Sequence, residues 1–191
     1  MNTLYLIRHS LTGANEKRLY CGKTDLPLSD KGRSVCRALR ESRPLPECEL
    51  YVTSGMRRAE ETLQLLTSRH ADLILPELRE MDFGLFEMRS YAELCAVPEY
   101  IRWIEDIQGD YPCPDGECVN AFRTRALRGG ELLLRRKENT ALAVCHGGVI
   151  VQLMQSWFPN VERHFYEWQP QAGQGYRITV SGAKPTEFDS I

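Results

Sequence analysis

Near its start the chain carries a short apolar run, Thr3–Ile7, that ends abruptly in Arg8-His9-Ser10. A brief continuous apolar run bounded by polar residues predicts a buried strand. Leu50–Thr53 and Leu73–Leu75 repeat the pattern, the latter stopped by Pro76, and Thr140–Cys145 and Gly175–Ser181 follow later. Between these runs the apolar positions change to helical spacing. Ser29–Ser42 predicts a helix closed off by Pro44 and Pro46. Met56–Arg69 predicts another, with Ala59, Thr62, Leu63, Leu65 and Leu66 toward a core. Shorter helices are expected near Ser90–Ala96 and Pro98–Ile107, and Gly109–Gly116 has the Pro/Gly content of a loop. Cys118–Arg136 predicts a long helix with a weak point at Gly129-Gly130, and Gly147–Phe158 a helix that starts from a Gly-Gly turn. Strands separated by helices imply an α/β three-layer sandwich, a mostly parallel sheet with helices on both faces. The expected organisation is one domain over residues 1–191, with a cap region around 84–118 inserted over one end of the sheet.

Composition narrows this picture mainly by exclusion. A length of 191 residues suits one domain with a sizeable core. Hydrophobic content of 42% and charged content of 26% are those of an ordinary globular protein. A net charge of −2 offers no electrostatic reason to expect nucleic acid or an anionic membrane as partner. The most apolar later stretch, Ala141–Phe158, contains His146 and is too short to span a bilayer. Arg8-His9 breaks the first apolar stretch, so no signal peptide is expected. Seven scattered cysteines, an odd number, read as free thiols in a reducing, cytoplasmic compartment. The four histidines lie far apart in sequence and no Cys-x-x-Cys occurs, so neither a metal nor a cofactor is expected.

Ligands of open α/β sheets bind at the carboxyl ends of the strands. Two predicted strands end in histidine: Arg8-His9-Ser10 and Cys145-His146-Gly147-Gly148. Arginine supplies a planar fork suited to phosphate, and histidine can act as a nucleophile. Glycines at Gly147-Gly148 let backbone approach a ligand, and the helix that follows offers its N-terminal amides to an anion. A third segment, Ser54–Thr62, follows a strand and opens a helix; there Arg57 fits an exposed pair with Glu61 at i,i+4. A fourth, Leu78–Glu87, holds three carboxylates, any of which would need partial burial to serve as an acid near neutral pH. Cys145 sits inside an apolar strand and reads as a small hydrophobe, not a nucleophile.

Taken in order, these segments resemble the histidine phosphatase superfamily, the phosphoglycerate-mutase-like fold. The resemblance runs from Leu6–Thr12 with Asn15, through Gly22–Ser29 with Gly32, Ser54–Ala59 with Thr62, Glu80–Gly84 with Glu87 and Gly116-Glu117, to His146–Gly148. It implies His9 as nucleophile, Glu80 as proton donor, and Arg8, Asn15, Arg58 and His146 on the phosphate. Arg58 is selected over Arg57 because the family motif places Ala directly after the arginine and Thr three residues beyond that Ala. Gly147 joins the substrate-binding set. Ser10 stands where the family usually has Gly, and a hydroxyl toward the phosphate is expected there. Phe86 and Met88 replace the more usual Trp and Gly.

The implied activity is a metal-independent phosphomonoesterase acting through a phosphohistidine on a small phosphorylated metabolite. Gly22–Ser29 is similar to the corresponding stretch of α-ribazole phosphatases. A phosphoglycerate mutase and a catalytically silent phospho-ligand or protein-binding scaffold are the alternatives, and a homodimer is left open. Tyr20, Phe86, Tyr100 and Trp103 read from sequence either as walls of the substrate pocket or as core aromatics.

Overall fold

The computed structural model describes residues 1–191. Six strands form one sheet: β1 (Thr3–Arg8), β2 (Leu50–Thr53), β3 (Leu73–Ile74), β4 (Thr140–Cys145), β5 (Gly175–Ser181) and β6 (Lys184–Ser190). Their order is β3-β2-β4-β1-β5-β6. The first four are mutually parallel and the last two antiparallel. The α/β sandwich expected from the alternating pattern is present.

Side chains alternate across the sheet as its two-residue period requires. Leu4, Leu6, Val52, Ala141 and Ala143 face one core, packed beneath α6 (Val119–Leu134) and α7 (Gly147–Trp157). Ile7, Tyr51, Leu142 and Val144 face the other, covered by α2 (Asp30–Ser42) and α3 (Arg57–Thr67). Ser29 caps α2 by accepting from the Gly32 amide, which places the start of that helix at the predicted position. The Gly129-Gly130 pair does not interrupt α6. A Cβ on Gly129 would come within 2.7 Å of Leu78 and one on Gly130 within 2.6 Å of Leu153, so the pair lets α6 press against its neighbours.

The segment after β3 contains two 3-10 turns (Pro76–Leu78 and Gly84–Phe86) and the short helices α4 (Tyr91–Leu94) and α5 (Pro98–Glu105). Phe86, Leu94, Tyr100 and Cys113 from this region are buried in the larger core.

Three elements escape the hydrophobic pattern. Helices α1 (Gly13–Glu16) and α8 (Phe165–Trp168) are single turns defined by capping boxes, too short to show a period. Strand β6 is polar, contains Pro185, and lies at the sheet edge, where a proline is tolerated. It is reached from β5 by a two-residue turn in which Gly182 and Ala183 both have positive φ, the conformation that matches strand twist. No helix is long and apolar enough to cross a membrane.

Candidate active site

Strand register brings the two histidines together. In the parallel β1–β4 pair Arg8 lies opposite Cys145, so the next residues, His9 and His146, leave the sheet side by side. The His9 amide donates to the Cys145 carbonyl at 2.9 Å, and the two rings sit 5.0 Å apart. Register on the other side of β4 pairs Thr53 with Val144, which delivers Ser54 to the same edge.

His9 is oriented by its own backbone. Its Nδ1 lies 2.6 Å from the Ser10 carbonyl, an acceptor only, so Nδ1 carries the proton and Nε2 keeps the lone pair. Burial, with the Arg58 and Arg8 charges, pushes the His9 pKa down to about 3. The ring is therefore neutral over the ordinary pH range, as a nitrogen nucleophile must be.

Arg58 is almost fully buried, whereas Arg57 beside it is exposed. The expected Arg57–Glu61 pair does not form; Glu61 pairs instead with Arg33 at 3.0 Å. The guanidinium of Arg58 donates from Nη2 to the Gly22 carbonyl at 2.7 Å, from Nη1 to the Thr24 carbonyl at 2.9 Å and from Nε to His146 Nδ1 at 3.2 Å. Of its five N–H donors, two are left uncommitted. One turn along α3, Thr62 receives the Ser10 amide at 3.0 Å and so ties the exit of β1 to the helix that carries Arg58.

Because Arg58 donates to Nδ1 of His146, that nitrogen is an acceptor and the proton resides on Nε2, which donates to Ser54 Oγ at 2.8 Å. Burial first, then the Arg58 charge, holds the His146 pKa well below its ordinary value. His146 thus has neither ring nitrogen free. In place of the direct phosphate contact expected from sequence, the geometry makes it a brace for Arg58.

Arg8 donates once, from Nη1 to the Pro170 carbonyl at 2.8 Å, and its Nε is buried with no partner. An orphaned cationic donor is costly unless an anion completes it. Asn15 accepts at Oδ1 from the Thr12 amide and hydroxyl, both at 2.9 Å, which leaves its Nδ2 donors unused. Gly147 is the first residue of α7, where backbone amides have no intrahelical acceptor.

Of the three clustered carboxylates, only Glu80 enters the site. It accepts from the Gly148 amide at 2.9 Å and the Met81 amide at 3.0 Å. Burial is the largest influence and raises its pKa, against the pull of those amides and of Arg58 and Arg8. Gly148 is required by this approach: a Cβ there would fall 2.4 Å from Glu80 Oε1. Asp82 pairs with Lys23 at 3.1 Å, and Glu87 organises the loop beside Arg58.

Ser10 corrects an expectation. Its hydroxyl is fully buried and donates to the Gly32 carbonyl at 2.9 Å, away from a phosphate. Its φ is not positive, so nothing in the backbone demands glycine there. Cys145 is fully buried and burial raises its thiol pKa strongly, which leaves it inert.

Several residues that shape the site carried no role in the sequence reading. Ser54 holds His146. Glu87 accepts the amides of Gly22, Lys23, Phe83 and Thr24 and the Thr24 hydroxyl. Arg125 grips Glu117 with two nitrogens, at 2.8 and 2.7 Å, and donates to the carbonyls of Glu77, Arg79 and Glu80, which fixes the backbone behind the acid. Ser54, Glu87 and Glu117 lie within the motif segments, but a motif does not say which side chain points where.

Beyond Glu80 opens a cleft of about 560 Å3 lined by Tyr20, Phe83, Trp103, Phe122, Phe165 and Tyr166, with Gln152 and Gln169. Of the two readings open for the four aromatics, Tyr20 and Trp103 take the wall and Phe86 and Tyr100 the core. The latter two are buried behind the wall, Tyr100 meeting the Tyr20 hydroxyl at 2.6 Å and Phe86 packed edge-to-face on Tyr100 and tilted against Trp103. No group of three or more His, Cys, Asp or Glu side chains is placed to hold a metal ion.

Residues 4–187 match the family described as "Histidine phosphatase superfamily (branch 1)". The Escherichia coli K12 adenosylcobalamin/alpha-ribazole phosphatase is 34% identical over 159 residues, which cover 79% of this chain and 76% of that protein. Among solved structures, the alpha-ribazole phosphatase from Shigella flexneri superposes with a TM-score of 0.84 at 29% identity, over 96% of this chain and 93% of that one. A phosphoglycerate mutase from Thermus thermophilus gives 0.74 at 28% identity over 99% of both chains. A neutral histidine with two arginines near it, a buried carboxyl on the Gly148 amide and a family match spanning nearly every residue lead to one assignment: this chain is a hydrolase of the phosphatase type and belongs to branch 1 of the histidine phosphatase superfamily.

Proposed function

We propose that the protein is a phosphomonoesterase that works through a phosphohistidine at His9 and whose substrate has a leaving group bearing an aromatic ring, of the α-ribazole 5′-phosphate kind. One observation carries the mechanism: His9 has its proton fixed on Nδ1 by the Ser10 carbonyl and its Nε2 lone pair free, beside Arg8 and Arg58. In the first step Nε2 attacks phosphorus in line, the P–O bond to the leaving group breaks, and Glu80 transfers its proton to the departing oxygen. In the second step the Glu80 carboxylate takes a proton from water, the oxygen of that water attacks the phosphohistidine, and the P–N bond breaks to release phosphate. Arg8, Arg58, Asn15 and the amides at Gly147 stabilise the charge on the transferring oxygens, which is most of what phosphoryl transfer asks of a protein.

The cleft favours this substrate class over phosphoglycerate. A phosphoglycerate presents a carboxylate next to the phosphoester, and the residues lining the cleft include neither Lys nor Arg. A benzimidazole nucleotide such as α-ribazole 5′-phosphate presents a flat apolar ring, which aromatic walls accommodate. The test is a phosphoester panel run with the intact chain and with His9→Ala. Hydrolysis of aromatic phosphomonoesters and of α-ribazole 5′-phosphate, with free phosphate as product and loss of turnover in His9→Ala, supports the reading. Return of phosphate to a second hydroxyl of phosphoglycerate would make the protein a mutase. No turnover across the panel by folded protein would leave only a phospho-ligand scaffold.

A further inference from the structure

Helix α7 is apolar through its buried middle, Val149-Ile150-Val151 and Leu153-Met154, with one exception. Gln152 interrupts the run and is only 8% exposed. A buried primary amide brings two donors and an acceptor that cost free energy when left unpaired. No hydrogen bond within the protein reaches the Gln152 amide, yet neither amide atom is sealed from solvent. The opening it faces is the aromatic cleft, of which it forms part of the wall. Gln152 lies four residues after Gly148, on the same face of the helix and about 6 Å further along its axis. Gly148 is bonded to Glu80, so the amide sits one helical turn beyond the acid that protonates the leaving oxygen.

We propose that Gln152 is a specificity-determining residue that hydrogen-bonds a polar edge of the leaving group. The substrate it selects carries a flat ring with a hydrogen-bonding atom in it, a heteroaromatic ring and not a plain hydrocarbon one. This inference rests on the phosphomonoesterase reading and deepens it. The aromatic walls accept any flat ring of the right size. Discrimination comes from the amide: a ring with an acceptor completes it, whereas a ring with C–H at that place strips it of water and leaves it unpaired. A site built to pair a polar atom rejects an isostere lacking that atom far more strongly than apolar contacts alone can.

The experiment compares two substrates that differ in one ring atom, benzimidazole riboside 5′-phosphate and indole riboside 5′-phosphate, in the intact chain, Gln152→Met and Gln152→Glu. Phenyl phosphate serves as a third substrate, with His9→Ala as the control for phosphatase activity. The readout is the ratio of kcat/KM for the two nucleotides. It is internal to each preparation, so partial loss of folded protein does not move it. The expected ratio is about tenfold or more in favour of benzimidazole for the intact chain, falling to about one in Gln152→Met. Gln152→Glu, which keeps the shape but has no amide donor, should lose the preference as well. A ratio near one in the intact chain, or a preference that persists in Gln152→Met, overturns the role of Gln152. Hydrolysis of phenyl phosphate with no turnover of either nucleotide overturns it too, while leaving the phosphomonoesterase reading in place. If the intact chain hydrolyses none of the three, that reading falls and the inference with it.

Discussion

Glu87 touches neither His9 nor the cleft, yet its replacement by glutamine should slow the enzyme. Its Oε1 accepts from the Gly22, Lys23 and Phe83 amides at 2.9, 3.0 and 3.1 Å, and its Oε2 from the Thr24 amide and hydroxyl at 3.2 and 2.6 Å. The loop gathered in this way supplies the two carbonyls, Gly22 and Thr24, that hold the terminal nitrogens of Arg58. In Glu87→Gln one oxygen becomes an NH2 and must face a donor. The least costly orientation keeps the amide oxygen on the side of the three amides and turns the nitrogen to Thr24, whose hydroxyl can reverse but whose N–H cannot. One bond is lost and the other four, the reversed Thr24 hydroxyl included, fall from charge-assisted to neutral, a difference of roughly 0.5–1 kcal/mol each. Solvent reaches part of this site, so the sum is discounted to about 2 kcal/mol. That corresponds to a fall in melting temperature of roughly 4–8 °C. If the loosened loop passes the loss to Arg58, kcat/KM drops about 10- to 30-fold. Thermal melts and steady-state hydrolysis of phenyl phosphate read the two effects separately. A variant that melts lower but keeps the kcat/KM of the intact chain would refute the idea that this loop positions Arg58.

Other expectations follow from single contacts. Met88 has a φ of 59° and replaces the glycine usual in this family, so Met88→Gly should raise stability by about 0.5–1 kcal/mol in urea denaturation; an unchanged midpoint would count against strain there. Ser10→Gly removes the hydroxyl donor to a buried carbonyl and should cost about 1–2 kcal/mol of stability while kcat/KM stays within a few-fold; a gain of several orders of magnitude would show that Ser10 cripples the natural chain. Gly148→Ala drives a methyl to within 2.4 Å of Glu80 and should cut kcat about 100-fold or more, whereas Gly13→Ala, with nothing within 4 Å, should behave as the intact chain. His9 must be neutral and its pKa is about 3, so kcat/KM should rise with pH through about 3. Glu80 must be protonated and its pKa is raised, so activity should fall again at a pH above the ordinary carboxylate range, and a decline beginning at or below that range would contradict its role as the acid. The same depressed pKa makes folding stability fall as pH drops from the unfolded histidine value of about 6.5 toward 3, because only the unfolded chain takes up the proton.

Local sequence was enough for every element with a clear period. Buried strands such as Thr140–Cys145 announce themselves because both faces are covered and the run is unbroken, and α2 announces its start through the Ser29 cap. The resemblance to the histidine phosphatase family, carried by the order and spacing of its motifs, is what joined His9, Arg58, Glu80 and His146 into one expected set. Tertiary structure decided what each member of the set does. Whether Ser10 faces phosphate or protein depends on the Gly32 carbonyl, 22 residues away, and His146 is committed to Arg58 and Ser54, which only the β1–β4–β2 register places beside it. The same holds for the cleft. Sequence could name aromatic residues but not tell wall from core, because Tyr20 and Tyr100 meet edge-to-face in one cluster and only the fold decides which of them reaches the cleft. Gln152 shows the divide most plainly: a lone polar residue in an apolar helix is visible in the chain, but its amide becomes a binding group only because the fold leaves a cavity on that face. Chain chemistry therefore determined which groups are present and in what order, and long-range packing determined which of their hydrogen-bonding atoms remain free for a substrate.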